Sequence, residues 1–146
     1  MLRRQTSETD PGDWFAFAEE RLRGADILWN ADGLTALGIE ALQESMERYL
    51  KGYLVATGWR LVKTHDLTHL IREAASRDLR FQPYLPLAEE LTEDFFSQHY
   101  PGGDMTETGE NYEAMREQIG SLVGLIDSLL QPSQTRQQDI PSQNSP

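Results

Sequence analysis

Three histidines occur in the chain, His65, His69 and His99, and imidazole is the side chain whose proton changes hands near neutral pH. Two of them fall within Lys63-Thr64-His65-Asp66-Leu67-Thr68-His69, and Arg60 stands five positions ahead of His65. Phosphodiester cleavage calls for such a set: an imidazole as acid or base, and a fixed guanidinium to hold charge on the phosphorus oxygens. Arg60 and His65 are therefore candidate catalytic residues. The same spacing also suits an ordinary helix start, with His65 in the first turn and Arg60 and Lys63 pointing into water. A metal site falls short: His65 and His69 would share a helix face, but the zincin pattern needs Glu directly after the first His, and Asp66 stands there without an evident third ligand. No metal and no cofactor is expected. Neither a Gly-x-Ser-x-Gly elbow nor a Gly-x-x-x-x-Gly-Lys phosphate loop occurs.

Charge is spread unevenly around these residues. The window Arg48 to Arg80 holds seven bases (Arg48, Lys51, Arg60, Lys63, Arg72, Arg77, Arg80) against Asp66, Glu73 and Asp78, hence +4, while the whole chain carries -11 and the remainder -15. So acidic a molecule does not coat nucleic acid through bulk positive charge. A local basic region can still draw a phosphate while the remainder repels other polyanions. Any one of these residues could equally be a solvated, paired surface charge.

The elements that must position this chemistry read as helices. From Asp13, a natural N-cap, Trp14, Ala18, Leu22, Ala25 and Trp29 recur at three and four. A second helix runs from about Leu34 to Thr57 with Leu42, Met46, Tyr49, Leu50, Tyr53 and Leu54 on its apolar face, and Gly58 supplies a left-handed stop. On it Glu44 precedes Arg48, and Glu47 precedes Lys51, by four residues in the favourable order, which helix stability alone explains. Thr64 can cap a short third helix with Leu67, Leu70, Ile71 and Ala74 inward and Asp66 in its first turn. Pro86 suits the first turn of a fourth carrying Leu87, Leu91 and Phe95, which breaks at Tyr100-Pro101-Gly102-Gly103. A fifth carries Tyr112, Met115, Ile119, Leu122, Ile126 and Leu129 before Pro132. No strand alternation and no repeat is found.

The expected fold class is therefore all-α, an up-and-down bundle of four main helices plus one short extra helix, over residues 13–130. The polar stretches 1–12 and 131–146 read as disordered tails. Trp14, Phe15, Phe17 and Trp29 make the first helix apolar on more than one side, which suggests a homodimer. With 146 residues and 38% hydrophobic content there is room for one core. Zero cysteines leave no disulfide framework and no thiol nucleophile, which fits a cytoplasmic setting. No apolar run is long enough for a membrane span, and Met1 to Asp10 lacks the apolar stretch of a signal peptide.

The segment Gln43-Glu44-Ser45-Met46-Glu47-Arg48-Tyr49-Leu50-Lys51-Gly52-Tyr53-Leu54, followed by Gly58 and then Lys63-Thr64-His65-Asp66-Leu67, resembles the signature of HEPN domains. Tyr100-Pro101 before the last helix is similar to a turn that bacterial and archaeal members carry there. The resemblance spans about Asp13 to Leu130. It implies a helical bundle, usually a homodimer, often encoded beside a minimal nucleotidyltransferase as a toxin and antitoxin pair. Many members are metal-independent ribonucleases whose motif is an Arg followed four to six residues later by His. Arg60 and His65 satisfy that wording. In those ribonucleases the motif lies near the last two helices, where this sequence has Phe96-Ser97-Gln98-His99-Tyr100-Pro101, so His99 is a third catalytic candidate. Asp94 and Glu93 stand where an Arg would precede it, and Arg48 stands where the family commonly has Lys.

Two functional readings follow. In one, a dimer brings Arg60, His65 or His99 to a shared cleft that cuts single-stranded RNA. In the other, Arg48, Lys51, Lys63, His65 and Asp66 hold a nucleotide or its phosphate, and a partner nucleotidyltransferase does the work, docked on the acidic remainder. A pure oligomerisation scaffold stays open as a third class, because an amphipathic bundle needs no active site. Trp59 beside Arg60 offers a stacking aromatic, or simply a loop residue covering the bundle end.

Overall fold

A computed structural model describes the backbone of residues 5–99 and 106–131, and the side chains of residues 5–92 and 111–131. Among the described residues five α-helices follow one another: α1 (Pro11–Asp32), α2 (Ala36–Ala56), α3 (Leu67–Arg77), α4 (Leu85–His99) and α5 (Thr106–Leu129), with a 3-10 segment, Leu79–Tyr84, between α3 and α4. Among the described residues there is no strand. The architecture is an all-α bundle with α2 at its centre, in contact with α1, α3, α4 and α5.

Sequence explains why α2 is central. Leu42, Met46, Leu50 and Leu54 recur every four residues and are fully buried, and Ile39, Tyr49 and Tyr53 widen that stripe to either side. Leu67, Leu70, Ile71 and Ala74 of α3, Leu87 and Leu91 of α4, and Met115, Ile119, Leu122 and Ile126 of α5 complete the core. Each large aliphatic side chain removed from water contributes about 1.5–3 kcal/mol before chain entropy is counted. The helix stops where expected. Gly58 adopts φ 91, Gly58 N–H donates to the Val55 carbonyl and Trp59 N–H to that of Leu54, the paired bonds of a Schellman stop.

Helix α1 lies along α2 at very short range. A Cβ added to Gly52 would meet the Phe15 ring at 2.5 Å, so only glycine lets that ring lie on the α2 backbone. At the other end Trp29 stacks on Tyr112 of α5 at 4.2 Å, and Arg116 donates to both oxygens of Asp26.

Two caps differ from expectation. Helix α1 begins at Pro11, and Asp10 caps it by accepting from Gly12 N–H, so Asp13 is not the cap. Asp13 is instead a buried first-turn acid whose Oδ2 accepts from Ser7 N–H, while the Trp14 indole donates to the Glu8 carbonyl. The polar stretch ahead of α1 is thereby pinned to the helix from Ser7 onward. Helix α3 is capped by Asp66 rather than Thr64: its Oδ1 accepts from the backbone of Thr68 and His69. Thr64 Oγ1 accepts from Asp66 N–H one step upstream. In both places several cap-competent residues stand within three positions, and composition does not choose among them. The 3-10 segment has no counterpart among the expected elements; Asp78 at the end of α3 accepts from Arg80 N–H and restarts the chain as a tighter helix before α4. Among the described residues no helix is long and apolar enough to cross a membrane.

Candidate functional site

The site is built on the middle of α2 and on the loop that returns from Gly58 to α3. Glu47 and Lys51 are four apart on α2, and the Lys51 ammonium donates to Glu47 Oε2 at 2.8 Å. Both side chains are buried, at 7% and 5% exposure, which surface helix pairs are not. The ammonium also lies 5.4 Å from the centre of the Trp14 ring, a cation held against an aromatic face. The second Glu47 oxygen is taken by the returning loop: His65 Nδ1 lies 2.9 Å from Oε1. In the neutral imidazole this carboxylate fixes the tautomer with the proton on Nδ1 and leaves Nε2 as a free acceptor. The His65 side chain is 85% exposed, so a buried carboxylate orients a ring that faces solvent.

One turn earlier on α2, Glu44 Oε2 accepts from Arg48 at 2.7 Å and from Arg21 of α1 at 2.6 Å. Burial raises the Glu44 carboxyl, but the two guanidinium hydrogen bonds outweigh it and hold the group below its ordinary range. Asp66 is also held below its ordinary range, chiefly by the Thr68 hydroxyl that donates to it at 2.6 Å. Its carboxylate is committed to capping α3.

His65 forms a wall shared by two clefts. One, of 360 Å³, is lined by Arg21, Gln43, Glu44, Glu47, Arg48 and His65. The other, of 260 Å³, is lined by Glu8, Trp14, Lys51, Leu61, Lys63, Thr64 and His65. A larger hollow of 370 Å³ beside Trp14 and Phe17 touches none of the titrating residues of the loop. The structure thus brings together Arg48, Lys51, Lys63 and His65. Arg60 is exposed and lines neither cleft. The His99 side chain and the Tyr100-Pro101 turn lie outside the described residues.

Three residues of the site were not singled out for chemistry in the sequence. Glu47 reads as half of an ordinary helix pair and Trp14 as part of an apolar stripe, and Gln43 enters only as the first residue of the segment that resembles the HEPN signature. The available signal was that Gln43, Glu47 and Lys51 recur every four residues among apolar neighbours, a polar row on the face that is otherwise core. Among the described residues no three His, Asp or Glu side chains converge as a metal site would require.

A family model described as HEPN domain matches residues 12–129, nearly the whole helical bundle and both halves of the site. The chain belongs to the HEPN family. Neither a curated protein nor a solved structure matches it. For this HEPN domain, the match covers α1 to α5 and the loop that carries His65.

Proposed function

We propose that this HEPN domain acts on RNA at the His65 clefts as a metal-independent endoribonuclease, working as a homodimer and paired with a minimal nucleotidyltransferase in the manner of a toxin and its antitoxin. The observation that carries the reading is the relay from buried Lys51 through Glu47 to exposed His65. An imidazole held by one nitrogen against a buried carboxylate presents the other as a positioned proton acceptor. In the reaction, His65 Nε2 takes the proton of a ribose 2′-hydroxyl, the 2′-oxygen attacks the adjacent phosphorus, and the bond to the 5′-oxygen breaks. The 5′-oxygen takes up a proton from water, and a cyclic 2′,3′-phosphate and a 5′-hydroxyl result. Arg48 and Lys63, which line the clefts on either side of His65, are the cations available to the phosphate oxygens. Arg60, which lines neither cleft, enters this proposal only through a surface beyond them, such as a dimer interface.

The test is cleavage of a labelled single-stranded RNA by the purified protein in EDTA, beside His65→Ala, His99→Ala and Arg60→Ala. His65→Ala is expected to lose about 10²-fold or more of the rate with its thermal transition retained, and Arg60→Ala to lose little unless a second subunit uses it. Cleavage unchanged in His65→Ala overturns the assignment.

One observation favours a second reading, a nucleotide-binding module that serves the nucleotidyltransferase. The Lys51 charge is already matched by Glu47, so the clefts hold more recognition groups than free cations. No cleavage, together with a rise in Tm on adding nucleotides, selects this reading.

A further inference from the structure

Every polar side chain that lines the cleft beside Arg48 has a protein partner except one. Glu44 Oε2 accepts from Arg21 and Arg48, and Glu47 divides its oxygens between Lys51 and His65. Gln43 lines the same cleft with only 3% of its surface exposed, and its Oε1 is sealed from solvent and accepts no hydrogen bond. A buried amide oxygen left unpaired costs about 1–3 kcal/mol, a cost that leucine at this position would avoid. The amide sits one turn of α2 from Glu47, on the side of His65 away from Trp14.

An amide presents a donor and an acceptor side by side, and without a protein partner a half-turn exchanges them. The edge of a nucleobase offers the matching pair in one plane, whereas a phosphate or an ammonium uses half of it at most. We propose that Gln43 reads the base of a nucleotide whose phosphate lies at His65, the base entering the cleft between α1 and α2 beside Glu44 and Arg48. The neighbouring nucleotide then falls on the far side of His65, where the Trp14 ring offers a stacking surface and Lys63 a cation. The ligand so described is a single strand of at least two nucleotides, selected by base on the Gln43 side and tolerant on the Trp14 side. This inference rests on the reading of the His65 clefts as a nucleotide or RNA site.

The experiment is calorimetric titration of the purified full chain with the four nucleoside 5′-monophosphates and with ribose 5-phosphate, which lacks a base, for wild type, Gln43→Leu and Gln43→Glu. Wild type is expected to bind at least one monophosphate about tenfold or more tighter than ribose 5-phosphate, with the four unequal. Gln43→Leu is expected to bring all four to the ribose 5-phosphate level with Tm equal to or above wild type. Gln43→Glu keeps the shape, replaces the amide donor with oxygen and is expected to change the order among the bases. Monophosphates that bind both variants as they bind wild type overturn base reading by Gln43 while leaving the phosphate site standing. Wild type that binds neither monophosphates nor ribose 5-phosphate overturns both.

Discussion

Two ion pairs lie a turn apart on α2 with the same spacing and the same order of charges, yet Glu44–Arg48 and Glu47–Lys51 live in different surroundings. The first keeps 27% and 22% of its side-chain surface in water and recruits Arg21 from α1. The second is buried under Trp14 and the returning loop, and its free carboxylate oxygen points to His65. What separates them is the rest of the fold: α1 and the segment 58–66 close over one pair and leave the other at a rim. Burial turns the same i,i+4 arrangement from a modest helix bond into a fixed electrostatic support for an exposed imidazole.

The contrast can be broken first at the buried pair. Lys51→Met leaves Glu47 a buried carboxylate with only His65 beside it, and is expected to cost about 3–5 kcal/mol in denaturant unfolding. The double variant Glu47→Gln with Lys51→Met should recover much of that loss, because no charge is then left alone in the core. A loss below about 1 kcal/mol in the single variant would mean that water reaches the pair. At the rim, Glu44→Ala is expected to cost about 1 kcal/mol or less by the same measurement, and a double-mutant cycle with Arg48→Ala to give a coupling of a few tenths. Acid sharpens the difference further. The Glu44 carboxyl is held below its ordinary value of 4.5, so its contribution is complete above that pH and fades as pH falls through the lower native value. Tm of the wild type should therefore decline below about pH 4.5, and Glu44→Gln should show a shallower decline. Asp78, pulled down to about 2 by its hydrogen bonds from Arg80, adds to the slope in both proteins.

The helices were legible because their apolar spacing is set by the 3.6-residue period, and every residue read as inward-facing on α2 and α3 is buried. Gly58 was legible because a left-handed stop demands a residue without Cβ. The site was legible in part. The short stretch around His65 and the bases Arg48, Lys51 and Lys63 mark the right place, but nothing local says that Glu47, eighteen positions earlier, supports the imidazole, since tertiary packing alone joins them. Arg60 illustrates the converse. Closeness in sequence to His65 does not place its guanidinium on the same cleft, because no helical turn between them sets the two side chains on one face. The two misplaced caps follow the same logic at short range: the backbone entry angle, not the residue type, decides which oxygen meets the first free N–H.

The burial of Lys51 has one more consequence, for chemical modification. The chain contains two lysines, Lys51 and Lys63. Lys63 is exposed on the lining of one cleft, whereas Lys51 is buried beneath Trp14 and against Glu47. An acylating or methylating reagent therefore meets one reactive side-chain amine while α1 and α2 stay closed. A label on Lys51 records an opening of that helix pair, and the ratio of the two labels is a clock for how often the support beneath His65 comes apart.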